Sequence, residues 1–517
     1  MNNNKMILVL NFGGQYCHLI ARRVRDFGVY SEILPCDVSL KEIGKLRPDG
    51  IILSGGPSSV YEDNAPVMNK KILDLGIPVL GICYGLQLIG KFVGGEVLGG
   101  KLKEFGKKEL FVKKNGKLLN GLSKKEQVWM SHGDLVQKLP NDFEVLASTD
   151  TCKIAAFENS KRKLYGIQFH AEVVHTPKGN QILKNFVFDI CKAKKDWHIK
   201  NLSKKLIKDI KKEIVHSSVI MGVSGGVDST VAATLIHKAI GNKLFCVCID
   251  HGLIRKGEAE EIKDFFEKKL KFKHFYFINA SQIFLGKLKE VTDPEEKRKI
   301  IGHTFIEVFE KQVIELEKKH PAIKFLGQGT IYPDRIESAQ PTKYASKIKS
   351  HHNVTLPEKM KLKVIEPLKE FYKDEVRKLG KELKIPDEIL NRHPFPGPGL
   401  AIRILGEITE ERLKILREAD YIFIEELKKS GLYGKTWQAF AALFPVKSVG
   451  VMGDARTYEY IISLRAVTSI DAMTADWAKL PNELLEKISN RIINEVRGVN
   501  RVVYDISQKP PATIEYE

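Results

Sequence analysis

Two short stretches of the chain bring together residue types that can do chemistry. In the first, the apolar run Val79–Leu80 passes into Gly81-Ile-Cys83-Tyr84-Gly85-Leu86-Gln87, a cysteine between small residues where a strand is expected to turn into a helix. A sharp turn there exposes the sulfur, the glycines leave room beside it, and the N-terminus of the following helix favours a thiolate. A nucleophile of this kind needs a base and a group to orient it. The run Leu164–Phe169 reads as a strand that ends at His170-Ala171-Glu172, which sets an imidazole and a carboxylate close together. The loop Ser54-Gly55-Gly56-Pro57 follows another short apolar run, and its backbone N–H groups suit a developing oxyanion.

In the second stretch, the apolar run Val219–Val223 leads into Ser224-Gly225-Gly226-Val227-Asp228-Ser229-Thr230, and an apolar helix starts at once with Val231-Ala-Ala. Successive N–H groups at a helix N-terminus, with serine and threonine hydroxyls among them, form an anion cradle. The Gly-Lys-[Ser/Thr] ending of a Walker A loop is missing, so this phosphate loop is of another kind.

Both stretches need strands and helices to hold them. From the start, short apolar runs (Met6–Leu10, Ile51–Leu53, Val79–Cys83) alternate with segments of helical spacing such as Tyr16–Phe27, which predicts a mostly parallel sheet flanked by helices. Between Glu96 and Phe169 the runs become strand-like (Val128–Met130, Ile154–Phe157, Leu164–Phe169), and an antiparallel extension of the sheet is expected. The polar, Lys-rich segment Cys191–Lys212 suits a connector. A second α/β pattern begins at Val219, with further strands expected at Leu244–Ile249, Phe275–Ile278 and Lys324–Leu326. The rigid cluster His393-Pro-Phe-Pro-Gly-Pro-Gly399 cannot be helix or central strand and marks a boundary or a structured loop. After it, helices at Leu413–Lys429 and Asn482–Val496 and strands at Val446–Met452, Tyr460–Ala466 and Val499–Ile506 make an α+β portion. The expected domains are therefore 5–195, 196–392 and 393–517.

At 517 residues the chain exceeds what one core usually supports, in keeping with several domains. Its net charge of +19 favours anionic partners such as nucleotides, but the excess is scattered over Lys-rich stretches that read as solvated surface, so no nucleic-acid partner is expected. Seven cysteines without a CxxC pair indicate a reduced, cytoplasmic protein. The most apolar stretch, Ile77–Gly95, is broken by Pro78, Lys91 and five glycines, so neither a signal peptide nor a membrane helix is expected.

The first two-fifths of the chain resembles the class I glutamine amidotransferases. That resemblance implies Cys83 as nucleophile, His170 as base and acid, and Glu172 as the third member of a triad that releases ammonia from a glutamyl thioester. It also implies an oxyanion hole from Gly56 and the Tyr84 backbone, and a glutamine pocket lined by Gln87 and Ser131-His132-Gly133-Asp134. Ala171 stands where the family usually has proline, which loosens the loop without removing a catalytic group. The SGGVDS loop resembles that of the ATP pyrophosphatases, of adenine-nucleotide α-hydrolase-like fold. This implies transfer of AMP to an acceptor oxygen with Ser224–Thr230 on the departing pyrophosphate and Ile249–Gly252 near the adenine. ATP chemistry implies Mg²⁺, whose ligands the sequence does not identify beyond Asp228 as a candidate.

The acceptor is suggested by the rest of the chain. Asp293-Pro-Glu-Glu-Lys-Arg298, Gly327-Gln-Gly-Thr-Ile-Tyr-Pro-Asp334-Arg-Ile-Glu337-Ser338, HPFPGPGLAIR at 393–403 and Lys509-Pro-Pro-Ala-Thr-Ile-Glu515-Tyr-Glu517 resemble the glutamine-hydrolysing GMP synthase family over nearly the whole length. The resemblance implies XMP, ATP and glutamine as substrates. It implies Arg298, Gln438, Asp454, Lys509 and Glu515 as XMP-binding residues, with Arg298 and Lys509 suited to the phosphate and the others to base or ribose edges. It further implies a C-terminal α+β dimerisation domain, hence a homodimer. The polar stretch Lys343–His352 reads equally as a lid that closes over the ATP phosphates and as a charged loop. An amidotransferase for NAD or another nucleotide would have no use for the final KPPATIEYE motif. A tRNA sulfur-transfer protein would need a reactive cysteine near the phosphate loop, and Cys246 and Cys248 lie inside an apolar strand.

Overall fold

The computed structural model describes residues 6–198, 202–339, 362–469 and 474–517. The chain divides into two compact units, the first holding everything up to His198 and the second nearly all of the remainder. The Lys343–His352 segment lies outside the described residues.

Among the described residues of the first unit, nine strands form one sheet: β1 (Ile7–Asn11), β2 (Ser31–Pro35), β3 (Gly50–Leu53), β4 (Val79–Ile82), β5 (Glu96–Val112), β6 (Lys125–Lys138), β7 (Glu144–Ser148), β8 (Ala156–Asn159) and β9 (Leu164–Ile167), in the order β2-β1-β3-β4-β9-β8-β7-β5-β6. The first five in that order are parallel, and the others add on antiparallel. β3, β4 and β9 are buried along their whole length, as near-continuous apolar runs in a covered parallel sheet must be. The antiparallel extension is as expected, except that Leu164–Ile167 belongs to the parallel part, beside β4. Its carboxyl end therefore opens on the same edge as that of β4, where ligands of α/β sheets bind.

The second unit begins with a helix, Leu202–Ile214, in the expected connector. Its parallel sheet runs β12-β11-β10-β13-β14, from β10 (Ser218–Gly222), β11 (Leu244–Asp250), β12 (His274–Asn279), β13 (Ile323–Gly327) and β14 (Lys363–Ile365). Four of these match the expected strands within a residue or two. β14 is a three-residue edge strand, too short for its own pattern to show.

The last portion pairs β15 (Gln438–Met452) with β16 (Ala455–Thr468) as a long antiparallel hairpin, to which β17 (Asp476–Trp477) and β18 (Val499–Tyr504) add. Helices Glu410–Lys429 and Asn482–Glu495 pack against it. One apolar cluster runs from Ile220 and Phe245 through Leu400 and Leu416 to Ile462 and Ile488, so residues on either side of the proline cluster share a core. Gly399 makes that join: with φ 63 and a would-be Cβ 2.3 Å from the Leu253 carbonyl oxygen, the position admits glycine alone.

Candidate functional site

In the first unit, Cys83 sits between the end of β4 and helix Tyr84–Phe92 at φ 53, ψ −107, a conformation that costs a non-glycine residue energy and recurs at functional sites. Its neighbours enforce the turn. A Cβ at Gly81 would lie 2.5 Å from the Gly85 carbonyl, and one at Gly85 would lie 2.5 Å from the Leu53 oxygen, so strand, turn and helix meet only through glycine. The Cys83 amide is tied to Ile167 O at 2.8 Å, which couples the nucleophile to β9.

His170 follows β9 and is 5% exposed. Its Nδ1 lies 2.7 Å from Glu172 Oε1. The His170 backbone is held at both ends, by Trp129 O and by the Thr176 hydroxyl, and the Tyr16 ring meets the imidazole edge-on at 5.1 Å. Arg23 Nε donates to Glu172 O at 3.1 Å, while Glu172 Oε2 is buried without a hydrogen-bond partner. Burial opposes charge on His170, but the Glu172 carboxylate and the Cys83 sulfur outweigh it and lift the imidazole to about 10. Cys83, His170 and Glu172 are thus gathered just past the carboxyl ends of β4 and β9.

Around them, Gly55 packs on both His170 and Cys83, and Gly56 lies against Tyr84 with no room for a side chain. The Cys83 thiol reaches Ser131 O at 3.5 Å, and Gln87 Nε2 donates to Asp134 O at 2.7 Å. The structure thus brings Gly56, Tyr84, Gln87 and Ser131–Asp134 around the sulfur. Gln168 was missed in the sequence: it is fully buried, and its Nε2 lies 3.7 Å from Cys83 Sγ. Gln168 lies in the bend just after β9, two residues before His170.

In the second unit, the loop after β10 has Gly225 at φ 71 and leads into helix Val227–Ile240. The Ser224 and Ser229 hydroxyls lie 3.4 Å apart, Ser224 Oγ accepts from Gly226 N, and Ser229 Oγ donates to Gly226 O. Val227 and Thr230 are buried, so direct contact with a ligand falls to Ser224, Ser229 and the backbone. Asp228 pairs with Lys373, and its Oδ1 is buried without a partner. Arg392 donates to Gly225 O at 3.2 Å and pairs with Glu258. Gly329, from the second polar string, packs within 3.2 Å of Asp228 and Ser229 through its would-be Cβ. At the end of β11, His251 is buried and accepts from Leu253 N, and Asp250 accepts from Gly252 N.

The proposed acceptor residues divide. Gln438 Nε2 donates to Glu515 Oε1 at 2.6 Å, and fully buried Arg403 grips the same carboxylate from Nε and Nη2 at 3.1 and 2.9 Å. Arg298 donates to the main-chain oxygen of Glu517, whose carboxylate takes buried Lys297. Lys509 is tied to Ala475 by a pair of backbone hydrogen bonds. Asp454 stands apart: it is exposed at the tip of the β15–β16 hairpin, and Gln438 begins that fifteen-residue strand. At about 3.3 Å per residue the two are on the order of 40 Å apart within one chain. Lys297, Arg403 and Arg465 escaped the sequence reading, since nothing local distinguishes a buried cation from a surface one. Arg465 is 1% exposed and donates to the carbonyls of Ser507, Thr513 and Ile514.

Three family models match the chain: "Glutamine amidotransferase class-I" over residues 8–190, "NAD synthase" over 198–301 and "GMP synthase C terminal domain" over 425–516. Among curated relatives, the chain is 58% identical over 512 residues to a protein of Carboxydothermus hydrogenoformans named GMP synthase [glutamine-hydrolyzing], covering 99% of both chains. A protein of Aquifex aeolicus with the same name is 56% identical over 514 residues, again covering 99% of each.

Proposed function

Because the chain belongs to the glutamine-hydrolysing GMP synthase family, we propose a division of its chemistry between the two units, each with its own residues. The overall reaction is XMP + ATP + glutamine + water → GMP + AMP + pyrophosphate + glutamate. The 2-oxygen of xanthine is a poor leaving group until it carries AMP, and ammonia then replaces it at C2.

In the first unit, Cys83 attacks the glutamine carboxamide carbon while His170 gives a proton to the departing ammonia, and Glu172 holds the imidazole in the tautomer that permits this. Water then opens the thioester with His170 as base. N–H groups of Gly56 and Tyr84 take the oxyanion, and Gln87 with Ser131–Asp134 holds the substrate. The observation that carries the reading is the strained Cys83 turn aligned with a His170–Glu172 pair, in a chain that also carries the Ser224–Thr230 loop.

In the second unit, Ser224, Ser229 and the backbone of 224–230 hold the β- and γ-phosphates. Asp228, with a buried carboxylate oxygen that has no partner, fits a ligand role toward the Mg²⁺ that accompanies ATP. When bound, that ion would screen the phosphate charge. Gln438, Lys509, Glu515 and Arg298 hold XMP, with Arg403 and Lys297 fixing the tail that carries Glu515. Asp454 joins this site only across a dimer. Val449, Val451 and Tyr458 are exposed near that hairpin tip, an apolar surface that supports a homodimer through this portion. Seven free cysteines support a cytoplasmic location. Among the described residues, no helix is long and apolar enough to cross a membrane.

Oxygen labelling tests the reading. XMP carrying ¹⁸O at C2, incubated with ATP and glutamine, should deliver the label to the AMP phosphate. Label released to water in step with GMP, with none in AMP, would exclude adenylation of that oxygen.

A further inference from the structure

Behind the glutamine pocket lies a buried carboxylate, Glu104, that the steps above do not use. Glu104 and His132 face each other across the β5–β6 ladder, with side chains 2% and 1% exposed and Oε2 and Nε2 2.8 Å apart. The other carboxylate oxygen of Glu104 takes hydroxyl hydrogen bonds from Thr149, at 2.8 Å, and from Thr151. His132 Nδ1 lies 3.0 Å from its own neighbour's carbonyl, Asp134 O. That same oxygen accepts from Gln87, which also reaches Gln168 Oε1 at 3.5 Å, and Gln168 donates to the Cys83 sulfur. An unbroken line of polar contacts thus runs from Glu104 to the nucleophile.

A buried carboxylate is tolerated only when its oxygens are satisfied, and here three donors do so. Burial works against the charge, yet the hydrogen bonds from His132, Thr151 and Thr149 prevail and hold the Glu104 carboxyl down at about 2. If stability were all that mattered, apolar side chains of similar volume would serve as well or better. What the polar arrangement adds is direction. His132 has an acceptor at each ring nitrogen, so its orientation is fixed at both ends, and with it the backbone from Ser131 to Asp134. Ser131 O is the atom the Cys83 thiol meets, and Asp134 O is the atom that orients Gln87.

We propose that Glu104 and His132 act as a positioning couple for glutamine hydrolysis, holding the Ser131–Asp134 wall and Gln87 in register with Cys83, with Glu104 itself touching neither substrate nor sulfur. This rests on the assignment of Cys83 and its pocket to glutamine hydrolysis. The consequence is specific: loss of the couple loosens the pocket for glutamine while the nucleophile and the second unit keep working.

The test is Glu104→Gln in the full chain, with Thr151→Val as a milder second variant that removes one donor to Glu104. Three quantities are read: KM and kcat for glutamine-driven GMP formation, the ammonium-driven rate, and the stoichiometry of Cys83 alkylation by iodoacetamide. Glu104→Gln should raise the glutamine KM roughly tenfold or more, as displacement of a pocket wall by a fraction of an ångström does, and Thr151→Val should raise it by less. Alkylation stoichiometry and the ammonium-driven rate should hold. A variant that only lost folded protein would show lower kcat and fewer alkylated sites at unchanged KM, which overturns the proposal. If Glu104→Gln fails to fold, an unchanged KM in Thr151→Val overturns it equally. Should Cys83→Ala still use glutamine, the underlying assignment falls instead, and that outcome is separately visible.

Discussion

Substituting Gly55 by alanine puts a methyl group where the triad has no space for one. A Cβ there would lie 3.1 Å from His170 Cε1, 3.7 Å from Cys83 Cβ and 4.0 Å from His170 Nε2, and no backbone atom comes closer than these. Ordinary carbon contacts are about 3.5–4.0 Å, so the imidazole must yield by roughly half an ångström. Its adjacent Nδ1 is anchored by Glu172 at 2.7 Å, and the movement therefore comes out of the placing of His170 beside Cys83. If a misplacement of about 1 Å costs about a hundredfold in rate, half that distance costs about tenfold, or about 1.4 kcal/mol at the transition state. The assay compares GMP formation from XMP and Mg-ATP with either glutamine or ammonium as nitrogen source. The glutamine-driven kcat/KM should drop about tenfold with the ammonium-driven rate unchanged. An unaltered glutamine rate, or an equal fall with both nitrogen sources, would refute the argument from alignment. Gly81→Ala is the contrasting case, because its Cβ meets the Gly85 backbone at 2.5 Å and should disrupt the fold of the first unit.

Other consequences concern stability and assembly. His170, lifted from 6.5 to about 10, contributes stability that is fully present below pH 6.5 and lost as pH rises through about 10. The stability gap between the unmodified chain and Glu172→Gln should accordingly narrow between those values in melting curves taken across pH. Arg403→Met leaves Glu515 without its bidentate partner in a buried setting, which should cost about 3 kcal/mol in denaturant unfolding and raise the KM for XMP. Val451→Glu, at a position 74% exposed on the hairpin, should shift the chain from dimer to monomer in sedimentation.

Where local structure depends on contiguous residues, the sequence carried it. Gly81, Cys83 and Gly85 lie within five positions, and the strand-to-helix turn they make follows from their sizes alone. The same holds for Ser224–Thr230. Residues whose role depends on register were hidden. Glu104 sits in a Lys-rich stretch that reads as solvated surface, and only the irregularity between Gly99 and Glu104 in the β5–β6 ladder turns it inward to face His132. The first half of β15 was likewise missed, since Ala439, Ala441 and Ala442 have little strand preference of their own and are strand because β16 pairs with them. The separation of Asp454 from Gln438 is another product of pairing: the two lie sixteen residues apart in sequence, and a hairpin keeps them at opposite ends.

The division of labour is tested most directly by Cys83→Ala, assayed for GMP with each nitrogen source. Glutamine-driven synthesis should vanish and ammonium-driven synthesis should continue at the rate of the unmodified chain. Retention of glutamine use, or loss of both activities in a folded protein, would contradict the assignment of ammonia release to Cys83 and of acceptor activation to the Ser224–Thr230 loop.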